Sequence, residues 1–441
     1  MGSEWKKAKL TEHYEIRSGL SKPAKDFGSG YPFLTFKNVF YNYFVPSELT
    51  ELVQSTEKER AGCSVQRGDV FLTRTSETMN ELGMSCVALK SYENSSFNGF
   101  CKRLRPKPES DLVPEYVGYY LRSPRFRNDM LAFSTMSTRA SLNNDMIGRL
   151  DISYPSPESQ RKVAHVLKSF DDKITINRQT NQTLEQMAQT LFKSWFVDFD
   201  PVKAKMNGEQ PKGMDAATAS LFPEKLVESE LGLIPDGWDI VSIKDFGSVV
   251  CGKTPPKKND EFYGGDVPFI KIPDTHGKVF ITETTDTLTQ AGDESQPKKR
   301  IPENSICVSC IATVGQVFIT TKPSHTNQQI NSVVPYDQNS LYYLLFKFKG
   351  LNKHFHDLAS GGSATLNMNT STFSKVALVR PTADLLEAFH KTVGGLMEKM
   401  LANQLENATL SELRDTLLPK LLSGEIDLEN QQVEQAKALA G

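Results

Sequence analysis

The stretch VAHVLKSFDDKITINRQTNQTLEQMAQTLFKSW (residues 163–195) has a counterpart later in the chain, FHKTVGGLMEKMLANQLENATLSELRDTLLPKL (residues 389–421). Apolar residues in both stretches recur at alternating steps of four and three, which predicts a long helix with a coiled-coil seam. The seam positions of the two copies differ by a constant 226 residues, and each seam carries asparagines at the same places, Asn177 and Asn181 in the first and Asn403 and Asn407 in the second. The chain is therefore predicted to contain two copies of one design.

The correspondence continues on the N-terminal side of each long helix. Two of the matched pairs predict strands and one predicts a helix. The pairs are residues 5–19 with 238–252, 31–39 with 267–275, 65–74 with 301–310, 98–106 with 327–335, 116–130 with 341–358, and 137–144 with 361–368. We therefore predict an α+β fold, in which two mixed α/β domains form a pseudo-twofold repeat and are separated by two long antiparallel coiled-coil helices.

The repeat also predicts the domain boundaries. They are a first domain at residues 1–155, a first long helix at 156–198, a linker at 199–237, a second domain at 238–380, a second long helix at 381–424 and a tail at 425–441. The linker is assigned because its sequence is rich in proline, glycine and charge and ends in a Pro-Asp-Gly turn. The tail is expected to be loosely held, since it has few large apolar residues.

Composition limits the classes of function that the chain can have. The 51 Lys and Arg and 53 Asp and Glu give a formal net charge of −2, which excludes a simple polycation, so any binding to nucleic acid must use local patches. Its longest apolar stretches, such as LYYLLFKF (residues 341–348), are shorter than the ~20 residues that span a bilayer. Without a signal segment, the protein is expected to be cytoplasmic, with six reduced cysteines and no disulfide framework.

Four motifs resemble the specificity subunit of type I restriction-modification enzymes. They are SYPSPESQRKVAHVLKSFDDKI (residues 153–174), TLFKSWFVDFDPV (190–202), LIPDGW (233–238) and LRDTLLPKLLSGEI (413–426). Together with the duplicated design they cover essentially the whole chain. The resemblance implies two target-recognition domains, each of which reads one half of a split double-stranded DNA site.

The resemblance also implies partners. Two methyltransferase (modification) subunits would dock on the long helices, restriction subunits would join the full complex, and S-adenosylmethionine would be bound by the methyltransferase subunit, with no cofactor on this chain. One departure is visible, because PTADLLEAF (residues 381–389) opens the second helix without the Gln-Arg-Lys run of residues 160–162. The two docking surfaces are therefore expected to differ.

Two stretches imitate other kinds of site. GSVVCGKT (residues 247–254) satisfies the pattern of a phosphate-binding loop, but two prolines follow at once, where a helix should begin. We interpret it as a turn between strands. CVSC (residues 307–310) has thiols at metal-ligand spacing without a second pair, so buried cysteines and no metal site are expected.

The sequence predicts no catalysis by this chain. A methyltransferase needs an Asn- or Asp-Pro-Pro-aromatic loop to hold the target base, and the nearest string, DFDPV (residues 198–202), has one proline and no following aromatic residue. Two other interpretations remain open at this point. One is a stand-alone nucleotide-binding enzyme of the P-loop type, and the other is a coiled-coil interaction protein that does not bind DNA.

Polar and basic loops supply the candidate DNA contacts, because phosphates attract cations and base edges accept paired donors and acceptors. Arg139 is expected to serve the first half-site, and Ser363 with Thr365 the second. Which loop residues read bases and which contact phosphates stays open. The full set is Lys22, Lys25, Thr73, Arg74, Thr75, Arg139, Ser141 and Asn143 in the first half, and Lys253, Lys257, Lys258, Lys298, Lys299, Arg300, Asn327, Gln328, Ser363, Thr365 and Asn367 in the second.

The asparagines of the two seams predict how the helices pair. Antiparallel helices pair positions whose numbers have a constant sum, and a sum of 584 brings Asn177 to Asn407 and Asn181 to Asn403. Buried asparagines destabilise any slipped register, since their amides would then face leucines. A helix of about 40 residues is about 60 Å long. The pair is therefore predicted to act as a ruler that holds the two domains apart. Half-sites that face the same way suggest a spacing between their centres of about one DNA turn, near 10 base pairs.

Overall fold

The computed structural model describes residues 5–76, 78, 81–132, 135–136, 140–360, 366–426 and 428, with the side chains of residues 135, 136 and 140 left out. The chain divides into two compact units. Described residues within 1–175 and 407–441 form the first unit, and residues within 176–406 form the second. Each unit thus contains one of the predicted domains together with part of each long helix.

The first unit mixes short strands and helices. Its strands are Lys6–Lys9, Tyr14–Ser18, Phe27–Leu34, Leu52–Val53, Val70–Thr73, Thr75–Ser76, Ser85–Val87, Ser96–Phe97, Cys101–Pro106, Thr135–Met136, Ala140–Ser141 and Asp151–Tyr154. Its short helices are Leu10–His13, Phe36–Tyr41, Glu57–Gly62, Pro114–Tyr120, Pro124–Ala132 and Asn144–Arg149, with a 3-10 turn at Ala24–Asp26.

An antiparallel four-stranded sheet organises the first unit. Its strand order is Tyr14–Ser18, Cys101–Pro106, Val70–Thr73 and Ser85–Val87. Alternating residues of Val70–Thr73 enter different apolar clusters: Val70 and Leu72 pack in one, and Phe71 in the other. Both faces of the sheet are therefore covered, and the loops at its edges are left to carry polar residues.

The second unit repeats this mixture. Its strands are Leu226–Ser229, Gly232–Pro235, Asp239–Ser242, Gly247–Cys251, Tyr263–Ile270, Phe280–Ile281, Asp286–Leu288, Ile306–Ser309, Val317–Thr320, His325–Thr326, Ile330–Pro335 and Ala377–Arg380. Its short helices are Asp200–Met206, Ala216–Ser220, Ile272–Thr275, Gln290–Glu294, Leu341–Gly350, Asn352–Ala359 and Thr370–Ser374, with 3-10 turns at Ile243–Asp245, Asp260–Phe262, Pro297–Lys299 and Gln338–Ser340.

The main sheet of the second unit has five strands. Their order is Gly247–Cys251, Ile330–Pro335, Ile306–Ser309, Val317–Thr320 and Phe280–Ile281. The first three match, in the same spatial order, the first three strands of the first unit's sheet. The two domains are thus copies of one topology, as the internal repeat predicts.

The two long helices are Pro157–Phe196 and Ala383–Ser423. Within the second unit they run antiparallel, and the rings of Trp195 and Phe389 lie 5.6 Å apart, centroid to centroid. Within the first unit, Val163 and Leu421 belong to the same buried apolar cluster. The sum of the residue numbers is 584 in both pairs. The predicted fold class, two mixed domains with two long antiparallel helices, is confirmed.

The segment predicted as a linker contains ordered elements. Residues 199–237 form two short helices and a hairpin in which Leu226–Ser229 pairs with Gly232–Pro235. Val202, Phe222 and Ile234 from this segment are buried in the core of the second unit. Its sequence is rich in proline, glycine and charge, so local composition favours a linker although tertiary packing makes the segment part of a domain.

Candidate nucleic-acid interface

Four loops meet at one edge of the first unit. The backbone amide of Leu20 donates to the carbonyl oxygen of Phe97 at 2.8 Å, and the amide of Gly99 donates to Leu20 at 2.9 Å. On the other side of this turn, the Arg74 amide donates to the Phe100 carbonyl at 2.9 Å. The Leu142 amide in turn donates to the Arg74 carbonyl at 2.8 Å. We call residues 19–25, 73–76, 98–100 and 140–143 the first loop surface.

The second unit builds a similar arrangement, in which three of these four hydrogen bonds recur. The Lys253 amide donates to Thr326 at 2.9 Å, the Cys310 amide to Gln329 at 2.7 Å, and the Met368 amide to Cys310 at 2.9 Å. We call residues 252–258, 310–311, 326–329 and 366–369 the second loop surface. The repeated backbone network makes positions in the two surfaces directly comparable.

Equivalent glycines allow these loops to close. A Cβ atom on Gly19 would lie 2.2 Å from the carbonyl oxygen of Asn98, and one on Gly252 would lie 2.2 Å from that of Asn327. No side chain fits at such distances. Gly19 and Gly252, which end the matched stretches 5–19 and 238–252, are therefore required because the neighbouring turn approaches them closely.

One part of the sequence repeat is shifted by two residues in the structure. The sequence match aligns Asn143 with Asn367, but the hydrogen bonds make Met368 the equivalent of Leu142 and hence Asn369 the equivalent of Asn143. Asn143 accepts from the Met146 amide at 2.8 Å and Asn369 from the Thr372 amide at 2.9 Å, so both cap short helices. The polar loops that precede these caps differ in length, so an alignment of the two sequences without gaps does not show the two-residue shift.

The structure separates the candidates of the first loop surface. Lys25 and Ser141 are exposed, and Thr75 is half-buried. Lys22 pairs with Glu59 at 2.8 Å; hydrogen bonds from Lys22 and Thr56 lower the pKa of Glu59 to about 2. Lys22 is therefore already engaged by a carboxylate.

Thr73 and Arg74 are neighbours with different environments. Thr73 is fully buried and its hydroxyl accepts from the Met84 amide at 2.9 Å, so its side chain is not accessible to a ligand in this structure. Strand alternation points Thr73 inward, and the pattern Thr-Arg-Thr does not reveal that the first threonine still belongs to the buried strand. The half-buried Arg74 lies beyond the end of that strand.

The second loop surface carries exposed cations. Lys253, Lys257 and Lys258 are exposed and, among the described residues, form no ion pair. Gln328 is exposed, and its side-chain oxygen accepts from the Thr254 hydroxyl at 2.7 Å. Asn327 is 7% exposed and its side chain binds Gln329, which assigns it to the turn itself.

A buried network supports the rest of this basic region. Asp293 accepts from Arg300 at 2.6 Å and contacts His325 Nε2 at 2.7 Å. Gln296 Nε2 lies 3.3 Å from His325 Nδ1 and also donates to the Lys253 carbonyl at 2.9 Å, so it connects this network to the lysine loop. Lys298 is exposed and Lys299 half-buried.

A cavity lies beside the second loop surface. Its volume is about 730 Å³, and its lining includes Thr254, Lys257, Lys271, Asp286, Asn327 and Gln328. Lys271 forms an ion pair with Asp286 there. The cavity combines hydrogen-bond donors and acceptors with positive charge, which suits the phosphates and base edges of DNA.

Three candidates, Arg139, Ser363 and Thr365, lie outside the described residues. Asn367 is exposed. The sequence analysis also missed Phe100, Thr254 and Gln329 in the two surfaces, and the buried Lys102 in the strand that follows Phe100. A signal was present, since the matched stretches NGFCKRLRP and NQQINSVVP place an aromatic residue of one copy where the other has glutamine.

The two stretches that imitate other sites have structural roles. Residues Gly247–Cys251 of the phosphate-loop pattern form a strand paired with Ile330–Pro335. Cys307 and Cys310 are buried, and burial raises the pKa of each thiol to about 12. In the part of the chain that is described, no three His, Cys, Asp or Glu side chains are placed to hold a metal ion.

The seam asparagines form polar contacts between the long helices of the second unit. Asn403, 1% exposed, donates to the Asn181 side chain at 2.8 Å, and Asn181 donates to the Met400 carbonyl at 2.9 Å. Asn177 is 5% exposed and donates to Glu406 at 2.7 Å. Asn407 is half-buried and belongs to the first unit.

Two equivalent polar loop surfaces and a pair of long helices define a duplicated recognition scaffold. A family model described as "Type I restriction modification DNA specificity domain" matches residues 2–186 and 235–391. The chain is 40% identical to the type I restriction enzyme HindI specificity subunit of Haemophilus influenzae, over 96% of this chain and 100% of that protein. It is 27% identical to the MjaIX specificity subunit of Methanocaldococcus jannaschii, over 97% and 94% of the two chains.

A solved structure agrees with this assignment at the level of the fold. The crystal structure of a type I restriction-modification S subunit from M. genitalium has a TM-score of 0.55 and 12% identity, and the match covers 95% of this chain and 96% of that chain. The chain belongs to the family of type I restriction enzyme specificity subunits. No helix within the described ranges has the length and apolar character that a membrane crossing requires.

Proposed function

We propose that each loop surface reads one half of a bipartite double-stranded DNA site, and that the chain presents this DNA to two methyltransferase subunits docked on the long helices. The chain supplies recognition and performs no catalysis, and S-adenosylmethionine binds to the methyltransferase subunit. Restriction subunits join the same complex through these partners.

The observation that carries the proposal is one backbone network with two sets of side chains. The Phe100 carbonyl accepts from the Arg74 amide, and the Gln329 carbonyl accepts from the Cys310 amide. A scaffold that keeps its hydrogen bonds while its outward side chains change can read different base sequences in each copy. This is the property that a bipartite site with two unlike halves requires.

The helix openings support docking of protein partners on this chain. In the first, Gln160 is fully buried and accepts from the Val113 amide at 2.8 Å, whereas Arg161 and His165 are exposed along a groove of about 520 Å³. Adding 226 gives Leu386, which is buried, and Glu387, which is exposed. The Gln-Arg-Lys run thus combines one structural residue with exposed cations, and the second copy offers different charges.

Methylation mapping tests the proposal. The full chain is produced with its modification subunits in a host without other methylation systems, and methylated positions are mapped across the genome. We expect one bipartite motif with an unspecified spacer. Exchange of the first domain for that of a relative should change only one half of the motif. Methylation without a motif, or at one continuous motif, would contradict the proposal.

Replacement of Lys257 and Lys258 by alanine is expected to weaken DNA binding almost equally for all sequences. Each exposed lysine that contacts a phosphate releases about one counterion, so the slope of log K against log salt should become shallower by about one for each residue. Binding titrations of the assembled complex at several salt concentrations measure this. Lys353→Ala, which removes an exposed lysine paired with Asp357 at 2.9 Å, is the control and should change neither quantity. An unaltered slope in the double variant would remove both lysines from the interface.

A further inference from the structure

Phe100 is an exposed aromatic residue held by a rigid turn. Its side chain is 57% exposed and, among the described residues, makes no ring contact. The backbone on either side is fixed, because the Phe100 amide donates to the Asn98 side chain at 2.8 Å and its carbonyl accepts from Arg74 at 2.9 Å. The ring is thus presented to solvent from a fixed backbone.

Two cations, Arg74 and Lys102, are close to Phe100 in the chain or in the sheet, and neither has a carboxylate partner among the described residues. Cys101 pairs with Thr73 in the antiparallel sheet, and the next residues of the two segments, Phe100 and Arg74, are joined by the backbone hydrogen bond from Arg74 to Phe100. The Nε atom of Arg74 is buried and has no hydrogen-bond partner among the described residues. Lys102 lies in the strand that begins at Cys101, is 9% exposed and donates to the Ser18 hydroxyl at 2.9 Å.

The two positive charges of this group, Arg74 and Lys102, repel each other. Burial lowers the pKa of Lys102, and the nearby charge of Arg74 lowers it further. No described carboxylate forms an ion pair with either side chain. A site that keeps two neighbouring cations uncompensated is arranged for an anionic ligand.

The second unit shows that the fold does not require these residues. The positions equivalent to Phe100, Arg74 and Lys102 are Gln329, Cys310 and Asn331. The backbone hydrogen bond from Arg74 to Phe100 recurs as the one from Cys310 to Gln329. The aromatic ring and the two cations of the first unit are therefore additions to a turn that forms without them.

We propose that Phe100 stacks on a base step of the first half-site while Arg74 contacts the adjacent phosphate and Lys102 strengthens the positive potential behind it. Apolar side chains inserted at a base step partly unstack it and kink the duplex, and aromatic rings stack on bases of any identity. The first domain then reads its half-site partly through the ease of unstacking that step, whereas the second domain uses amide side chains at the same place. This inference rests on the proposed function.

The test uses the full chain assembled with its modification subunits. Duplexes carry the site found by methylation mapping, with 2-aminopurine placed at successive positions of each half-site. We expect binding to raise the fluorescence at one step of the first half-site, and Phe100→Gln to abolish this rise and to weaken binding about tenfold to hundredfold. Phe100→Tyr should retain both effects, and Arg74→Gln should weaken binding with a shallower salt dependence.

Tyr336→Gln is the matched control. Tyr336 is 74% exposed and follows the last residue of strand Ile330–Pro335, whereas Gln329 precedes the first, so the two lie at opposite ends, roughly 20 Å apart. This variant should bind as the unaltered complex does. An unchanged thermal transition in Phe100→Gln shows that the turn still folds.

Several results would overturn the inference. One is wild-type affinity and fluorescence in Phe100→Gln. Another is an equal loss of affinity in Phe100→Gln on duplexes that lack the first half-site. A third is dissociation of the modification subunits from a folded variant, which would make Phe100 a protein contact. Failure of the proposed function is distinct, because the unaltered complex would then prefer no sequence.

Discussion

Insertion of seven residues after Thr175 together with seven after Ala408 is expected to lengthen the unspecified spacer of the DNA site and to leave both half-sites unchanged. The two insertions face one another under the constant sum of 584 that Trp195 and Phe389 obey, and a heptad restores the seam. Seven helical residues add about 10 Å, the rise of about three base pairs. Because each base pair also rotates the duplex, we expect an increase of about one to three base pairs.

Methylation mapping of the variant complex measures the new spacer. The control is an insertion of the same seven residues after Gly208, an exposed position outside the two long helices, which should leave the spacer as it is. A functional heptad variant with the original spacer would contradict a role of the helices as a ruler. Leucine at both Asn181 and Asn403 should, in addition, permit methylation at more than one spacer length, since the polar contact that opposes slipped registers is then lost.

Replacement of Asp171 by asparagine is expected to destabilise the first unit by about 3 kcal/mol. Asp171 binds Arg414 of the second long helix at 2.6 Å and accepts from the Tyr119 hydroxyl at 2.6 Å, and the side chains of the ion pair are 22% and 16% exposed. Loss of the carboxylate leaves the shielded guanidinium of Arg414 with Asp415, which lies at 2.8 Å and is 59% exposed, as its carboxylate partner. The midpoint of the thermal transition should fall by roughly 5–10 °C, as followed by calorimetry.

The neighbouring aspartate gives the control. Asp172 also forms an ion pair, with Lys168 one helical turn away, but its side chain is 57% exposed. Asp172→Asn should therefore cost no more than about 0.5 kcal/mol. Equal midpoints for the two variants would show that the Asp171 contact contributes no more than a surface pair.

The sequence by itself determined the duplication, the two long helices and their pairing. These properties appear in the sequence as periodicities. A seam that recurs after 226 residues can be identified without knowing which distant residues are in contact. The contact between Asn181 and Asn403 follows from the same arithmetic. The sequence also identified lysines that are exposed in loops, such as Lys257, since a charged side chain in a proline-bounded loop is seldom buried.

Only the tertiary structure decided which loop residues are available to a ligand. Thr73 is buried, Lys22 is paired with Glu59, and Phe100 is exposed, although composition favours the reverse for each. The connecting residues 199–237 likewise became part of a core because Phe222 and Ile234 find apolar partners far away in the chain. The exposure of a side chain is set by strand pairing and by packing between residues distant in sequence. A local sequence pattern does not show which distant residues those are.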